Sequence, residues 1–168
     1  MPKKILIIAC SLLLCVQLAA QEENYISLYL FNFTRYVEWP EEKRSGNFVI
    51  EVMGHVSVYE KLKEITAGKR VGNQPIEVRN YMSADEVGDP HIMFVGHWQS
   101  PQFQEVLKNL KGDSALLITE KEGMIEQGAA INFVIRDGKI QYEVKKDHAT
   151  ARGLNVSSRL AQMGIPVD

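Results

Sequence analysis

His91-Ile92-Met93-Phe94-Val95-Gly96-His97-Trp98-Gln99-Ser100-Pro101, continuing through Phe103 and Leu110 to Ala115-Leu116-Leu117-Ile118-Thr119, is the stretch that decides the fold. The first five residues are a near-continuous apolar run, as expected of a strand covered on both faces at the centre of a parallel sheet. Ser100-Pro101 reads as a helix start, with serine as cap and proline in the first turn. Phe103, Val106, Leu107 and Leu110 then repeat at i, i+3, i+4 and i+7, which puts one apolar stripe on a helix. Lys111-Gly112 closes that helix, and Ala115–Thr119 is a second buried strand.

Working outward, the same alternation continues upstream. Phe48 to Met53 is a strand ending at Gly54. Ser57-Val58-Tyr59-Glu60 has the spacing of a capping box, and Val58, Leu62 and Ile65 give the next helix its apolar face. Pro75 to Arg79 is another strand, and Ser83 to Val87 a short helical turn. The first helix is expected from Asn24 to Trp39, stopped by Pro40. Ile26, Leu30, Phe33 and Val37 form one stripe on it, and Tyr25, Tyr29 and Tyr36 a second.

Downstream the pattern changes. Ala130–Val134 and Lys139–Val144 are joined near Asp137-Gly138, a strong hairpin signal because glycine readily takes positive φ. A last helix is expected from Asp147 to Met163, with a break at Gly153. Strand and helix in alternation argue for a three-layer α/β/α sandwich. Its mostly parallel sheet of about six strands would carry the C-terminal antiparallel hairpin at one edge.

The beginning of the chain reads as a targeting signal. Lys3-Lys4 is basic, Ile5 to Leu18 almost wholly apolar, and Ala19-Ala20 small before the polar Gln21-Glu22-Glu23, the pattern of a cleaved secretory signal. Residues 1–20 are therefore the expected signal peptide and 21–168 one exported domain. Both cysteines, Cys10 and Cys15, fall in the leader. A mature chain without them has no disulfide, thiol catalysis or cysteine metal site. The formal charge is −2, and loss of Lys3 and Lys4 makes it two units more negative. The basic residues are scattered, so nucleic acid is not an expected partner.

Candidate sites follow from the elements. Tyr25, Tyr29, Tyr36 and Trp39 are candidates for partner binding, because tyrosine and tryptophan are favoured interface anchors; the competing reading places Trp39 in the core and the tyrosines in intramolecular packing. Ligands of open parallel α/β sheets sit beyond the carboxyl ends of strands, where the topology switches. There the sequence has Gly54-His55 and Gly96-His97, followed by Trp98, and Thr119-Glu120. His55, His97 and Trp98, with Arg152 as anion partner, are the candidate ligand crevice. A metal held by His55, His97 and Glu120 lacks any short histidine spacing to support it, so no metal and no cofactor are expected. Ser114, Ser157 and Ser158 stand in no nucleophile-elbow context. Gly68-Lys69-Arg70-Val71-Gly72 lacks the spacing of a phosphate loop. Nothing here reads as an enzyme.

Leu28-Tyr29-Leu30-Phe31-Asn32-Phe33-Thr34-Arg35-Tyr36-Val37-Glu38-Trp39-Pro40 resembles the opening of the YfiR-like family of bacterial periplasmic proteins. So does the C-terminal stretch from Gly123-Met124-Ile125 through Ala130–Val134 and Gly138–Val144 to Ala151-Arg152-Gly153-Leu154-Asn155-Val156-Ser157-Ser158-Arg159-Leu160. The resemblance implies an exported, non-enzymatic regulator. The name-giving member binds the periplasmic region of an inner-membrane diguanylate cyclase and restrains it, and release switches on cyclic-di-GMP synthesis. Related domains are joined to histidine kinases. The expected partner is therefore an inner-membrane signalling protein, cyclase or sensor kinase, and the resemblance admits a homodimer. The second function expected from the residues is a periplasmic small-molecule-binding domain. The chain departs from the family in lacking mature cysteines, where the name-giving protein uses disulfides, and in Lys145-Lys146-Asp147 before the last helix.

Overall fold

The computed structural model describes residues 22–167, so the expected signal peptide, residues 1–20, lies outside the described residues. Helix α1 covers residues 22–33 and buries Ile26, Leu30 and Phe33. It ends earlier than the expected Trp39. The Thr34 hydroxyl donates to the Phe31 carbonyl at 2.7 Å, and the amides of Arg35 and Tyr36 bond back only three residues. Val37–Glu38 is then a strand, β1, paired antiparallel with Asn155–Val156. Val37 matched the helical stripe because it is buried, but its burial comes from this ribbon.

The next elements along the chain are β2 (Phe48–Met53), α2 (Val56–Thr66), β3 (Arg70–Val71), β4 (Gln74–Tyr81), β5 (Ile92–Val95), α3 (Phe103–Asn109) and β6 (Leu116–Thr119). After these come β7 (Ile131–Arg136), β8 (Lys139–Val144), α4 (Lys146–Thr150), β9 (Asn155–Val156), α5 (Ser158–Met163) and β10 (Ile165–Pro166). Among the described residues the main sheet has eight strands, in the order β10-β8-β7-β6-β5-β2-β4-β3. Strands β4, β2, β5, β6 and β7 run parallel, and β8 returns antiparallel to β7. The six strands expected from periodicity are β2 and β4 to β8. The two-residue β3 and β10 extend the edges, and two residues carry no periodic signal.

Alternation along the strands feeds two cores. Ile50, Val52, Ile92, Phe94, Leu116 and Ile118 pack with α1, α2 and α5 on one face. Met53, Met93, Val95 and Leu117 pack with Phe103 and Val106 of α3 and with Met124 and Ala129 on the other. Asp137 and Gly138 both take positive φ, 52° and 68°, as a two-residue type I′ turn requires.

Two local expectations change, and a third, the break at Gly153, is met. Helix α2 starts after His55 with no side-chain cap, so Ser57 lies inside it. Ser100 and Pro101 belong to a 3-10 turn over His97–Gln102 that leads into α3, and the Ser100 hydroxyl donates to the His97 carbonyl at 2.8 Å. The last helix is divided into α4 and α5. Gly153 at φ 73° reverses the chain, and the Leu154 amide bonds the Ala149 carbonyl at 3.1 Å, the long hydrogen bond of a Schellman end.

The amino end of β5 is closed by a buried histidine. The Val49 amide donates to Nδ1 of His91 at 3.1 Å, so the proton sits on Nε2, which donates to the Lys43 carbonyl at 2.7 Å. Burial is the main cause holding the His91 pKa below its ordinary value; the Lys43 ammonium adds to it, while the hydrogen bond to Lys43 and the charge of Asp89 oppose it. The unfolded chain, titrating near about 6.5, therefore binds a proton that the folded chain refuses. Stability from this group is complete above that pH and is lost as pH falls through it toward the lower folded pKa. In urea unfolding at pH 7.5, 6.5 and 5.5, the wild type is expected to weaken on acidification more steeply than His91→Gln. The variant starts about 1–3 kcal/mol lower, because the buried Val49 amide loses its acceptor, while the Lys43 carbonyl keeps the Gln74 side-chain amide at 2.9 Å. Equal slopes would show that His91 carries no such linkage.

Candidate functional site

The chain passes from β2 outward to β4 and then back across β2 to β5, so the topology switches between β2 and β5. The two glycine–histidine pairs stand at the carboxyl ends of these neighbouring strands. Gly54 takes φ 75°, and a side chain there would run into Gln99. At Gly96 an added Cβ would lie 3.1 Å from the Gly54 carbonyl and 3.2 Å from that of Met53. Both loops thus need glycine to close against each other, and that packing points His55 and His97 to a common crevice of about 710 Å³.

Glu120, just beyond β6, forms the floor. Its Oε1 accepts from the His97 amide at 2.7 Å and lies 3.7 Å from His55 Nε2. Burial pushes the Glu120 carboxyl above its ordinary range, opposed by the charge of His55 and the His97 amide. Trp98 stands at the mouth, 82% exposed, with its ring edge-on to His97 at 5.2 Å.

The β7–β8 hairpin outlasts β6 and makes one wall, from Phe133 to Arg136 with Ile140 and Glu143; Glu22, Glu23 and Ile26 of α1 close another side. Across the sheet, the Thr119 hydroxyl donates to Asn132 Oδ1 at 2.7 Å, and Asn132 Nδ2 donates to Glu143 at 3.2 Å. Arg136 Nη2 lies 3.4 Å from the other Glu143 oxygen. Among the described residues, five carboxylates, those of Glu22, Glu23, Glu120, Glu122 and Glu143, therefore line the crevice with one guanidinium.

Of the expected ligand residues, His55, His97 and Trp98 are brought together, and Arg152 is not. Strand β8 runs against the parallel strands, so the chain leaves it at their amino ends. Arg152 lies there, beyond α4, half-buried, with Asp113 as its nearby opposite charge. An anion in the crevice would lack the cation that Arg152 was expected to supply. Among the described residues, no group of three or more His, Cys, Asp or Glu is arranged to hold a metal ion.

Trp39, a docking candidate with a competing place in the core, is turned inward. Its indole N–H donates to the His91 carbonyl at 3.0 Å, and its ring meets Phe48 edge-on at 4.9 Å. Tyr29 is half-buried against Phe33, Phe133 and Tyr142. Tyr36 packs partly on the core under the Arg159 guanidinium. Tyr25 is exposed. Sequence patterns assigned Arg136, Glu143, Ile135 and the α1 glutamates to no site. Their signal was the length of β7 and β8 around Asp137-Gly138, which carries the hairpin past the end of β6.

The YfiR/HmsC-like family model matches residues 24–164 of the chain, from within α1 to the glycine after α5. No curated protein matches it.

Proposed function

This chain belongs to the YfiR/HmsC-like family, and from that premise we propose that it is an exported regulator that binds and restrains an inner-membrane signalling protein through its periplasmic region. The family is one of periplasmic regulators of diguanylate cyclases, which supports a regulatory role. The observation that carries the reading is the extent of the match, residues 24–164, which takes in both core layers and all of the crevice lining but Glu22 and Glu23. In this proposal residues 1–20 deliver the chain across the membrane and 21–168 act there.

The mechanism is a shift of populations. Binding holds the partner in its inactive state only by as much as the affinities for its two states differ. Taking a partner from almost fully active to almost fully inactive needs a ratio of about 10⁴. A leaderless chain has no cysteine, so the stimulus that ends the restraint acts through something other than a thiol switch in this protein.

The test is capture of partners by tagged residues 21–168 from detergent-solubilised membranes of the native cells, read by mass spectrometry. Specific enrichment of a cyclase or kinase with a periplasmic region is the expected result. Background alone, from folded and exported protein, would remove the proposal.

The crevice favours a second reading. Its volume falls in the range of small-molecule sites, with His55, His97 and Trp98 at one end. Thermal stabilisation by a periplasmic metabolite, without any membrane partner, would move the assignment there.

A further inference from the structure

We propose that the crevice at the carboxyl ends of β2, β5 and β6 is the gripping face, and that it takes a basic, apolar segment of the partner's periplasmic region, a lysine or arginine flanked by aliphatic side chains. This rests on the regulator reading and adds to it the surface and the chemistry of what fills it.

The rim is apolar where a soluble protein has least reason to be. Trp98, Ile135 at 60% exposure and Val56 at 56% all border the crevice, although they come from three distant parts of the chain. Large apolar side chains exposed around one crevice are the material of interaction sites, and tryptophan is a favoured anchor. A ligand confined to the floor beside Glu120 would leave Trp98 in water. Covering the rim and the floor together takes a chain that enters the crevice and continues across its edge.

Charge decides which chain. Glu22 and Glu23 descend from α1, Glu120 lies in the floor and Glu122 in the next loop. The one guanidinium, Arg136, is committed to Glu143 at 3.4 Å. With Arg136 held by Glu143, four carboxylates share the crevice with the imidazoles of His55 and His97. A concave site with an excess of one sign of charge focuses its field on the opposite sign, and an acidic segment is disfavoured by the same groups. A cation reaching the floor also meets a carboxylate that burial has left short of solvation.

The test is photo-cross-linking in the native cells with the full chain. Trp98, Ile135 or Met163 is replaced in turn by p-benzoylphenylalanine, and adducts are mapped by mass spectrometry. Met163 is exposed on α5 and does not line the crevice, so it is the control. Positions 98 and 135 are expected to label a lysine- or arginine-bearing apolar segment of an inner-membrane protein. The exposed Glu122→Lys, introduced as a second change, should cut that yield about tenfold, with Glu122→Gln losing less. Labelling from position 163 alone would overturn the inference and leave the regulator reading standing. Labelling of an acidic segment, or of a second copy of this chain, from position 98 would overturn it too. No adduct from any of the three would remove both.

Discussion

Glu51→Ala is expected to lower the unfolding free energy by about 3 kcal/mol, although the residue lies in no site. Glu51 is 1% exposed in the middle of β2, on the face that carries Met53. Its carboxylate accepts from the Tyr81 hydroxyl and from the Gly88 amide at 3.2 Å, and Arg79 Nη1 lies 3.6 Å away. It thereby ties the end of β4 and the segment leading into β5 to the central strand. Removing it takes the carboxylate acceptor from the Gly88 amide and from the buried Tyr81 hydroxyl, whose pKa burial and Glu51 together raise, and leaves that hydroxyl the weak thioether acceptor of Met93 at 3.9 Å. Arg79 is half-exposed and can turn to water, so the loss comes from the unmet donors and the cavity. Urea unfolding at neutral pH should find Glu51→Gln between the wild type and alanine. Tyr81→Phe should cost less in the Glu51→Ala background than alone, since the two share one hydrogen bond. A loss below about 1 kcal/mol for Glu51→Ala would mean that this network does not hold the loop.

Glu51 also marks the limit of what local pattern reveals. The elements that bury a run or a stripe were legible: β5 and β6 as apolar runs, α2 and α3 by their helical faces, the β7–β8 hairpin by Asp137-Gly138 and the division of the last helix by Gly153. A glutamate inside Phe48–Met53 reads equally well as an exposed position of an alternating strand. Only the arrival of Tyr81 and Gly88 from elsewhere makes its burial tolerable. The β1–β9 ribbon was hidden for a related reason: two-residue strands exist through pairing, and pairing across 117 positions leaves no local trace. In the crevice, the glycine–histidine loops were visible because strand ends are predictable in a parallel sheet. Its acidic wall was not, because that depends on how far β7 and β8 project beyond β6. The same topology misplaced Arg152, since the direction of β8 decides to which end of the sheet the next helix returns.

The two tryptophans give the sharpest separation of fold from function. Trp39→Ala is expected to cost about 3–5 kcal/mol, the range for deleting a buried aromatic ring. Trp39 is 5% exposed, meets Phe48 and His91 edge-on and donates to the His91 carbonyl, while its own carbonyl accepts from Arg44 Nε at 3.0 Å. The alanine variant loses the ring contacts and the indole hydrogen bond to His91 together, and keeps the Arg44 bond to its backbone carbonyl. Trp39→Phe keeps most of the volume and should fall between, losing about 1 kcal/mol for the indole hydrogen bond, while the His91 carbonyl keeps the Leu116 amide at 2.8 Å. Trp98→Ala should leave stability within about 0.5 kcal/mol, as an exposed side chain does, while weakening partner capture about thirtyfold or more if it anchors the interface. Urea unfolding and capture of the membrane partner, run on the same three variants, separate the two roles. A stable Trp39→Ala that no longer captures would put the docking surface at the amino ends of the strands and empty the crevice of its proposed role. A Trp98→Ala that captures normally would leave the fold argument intact and move the partner elsewhere.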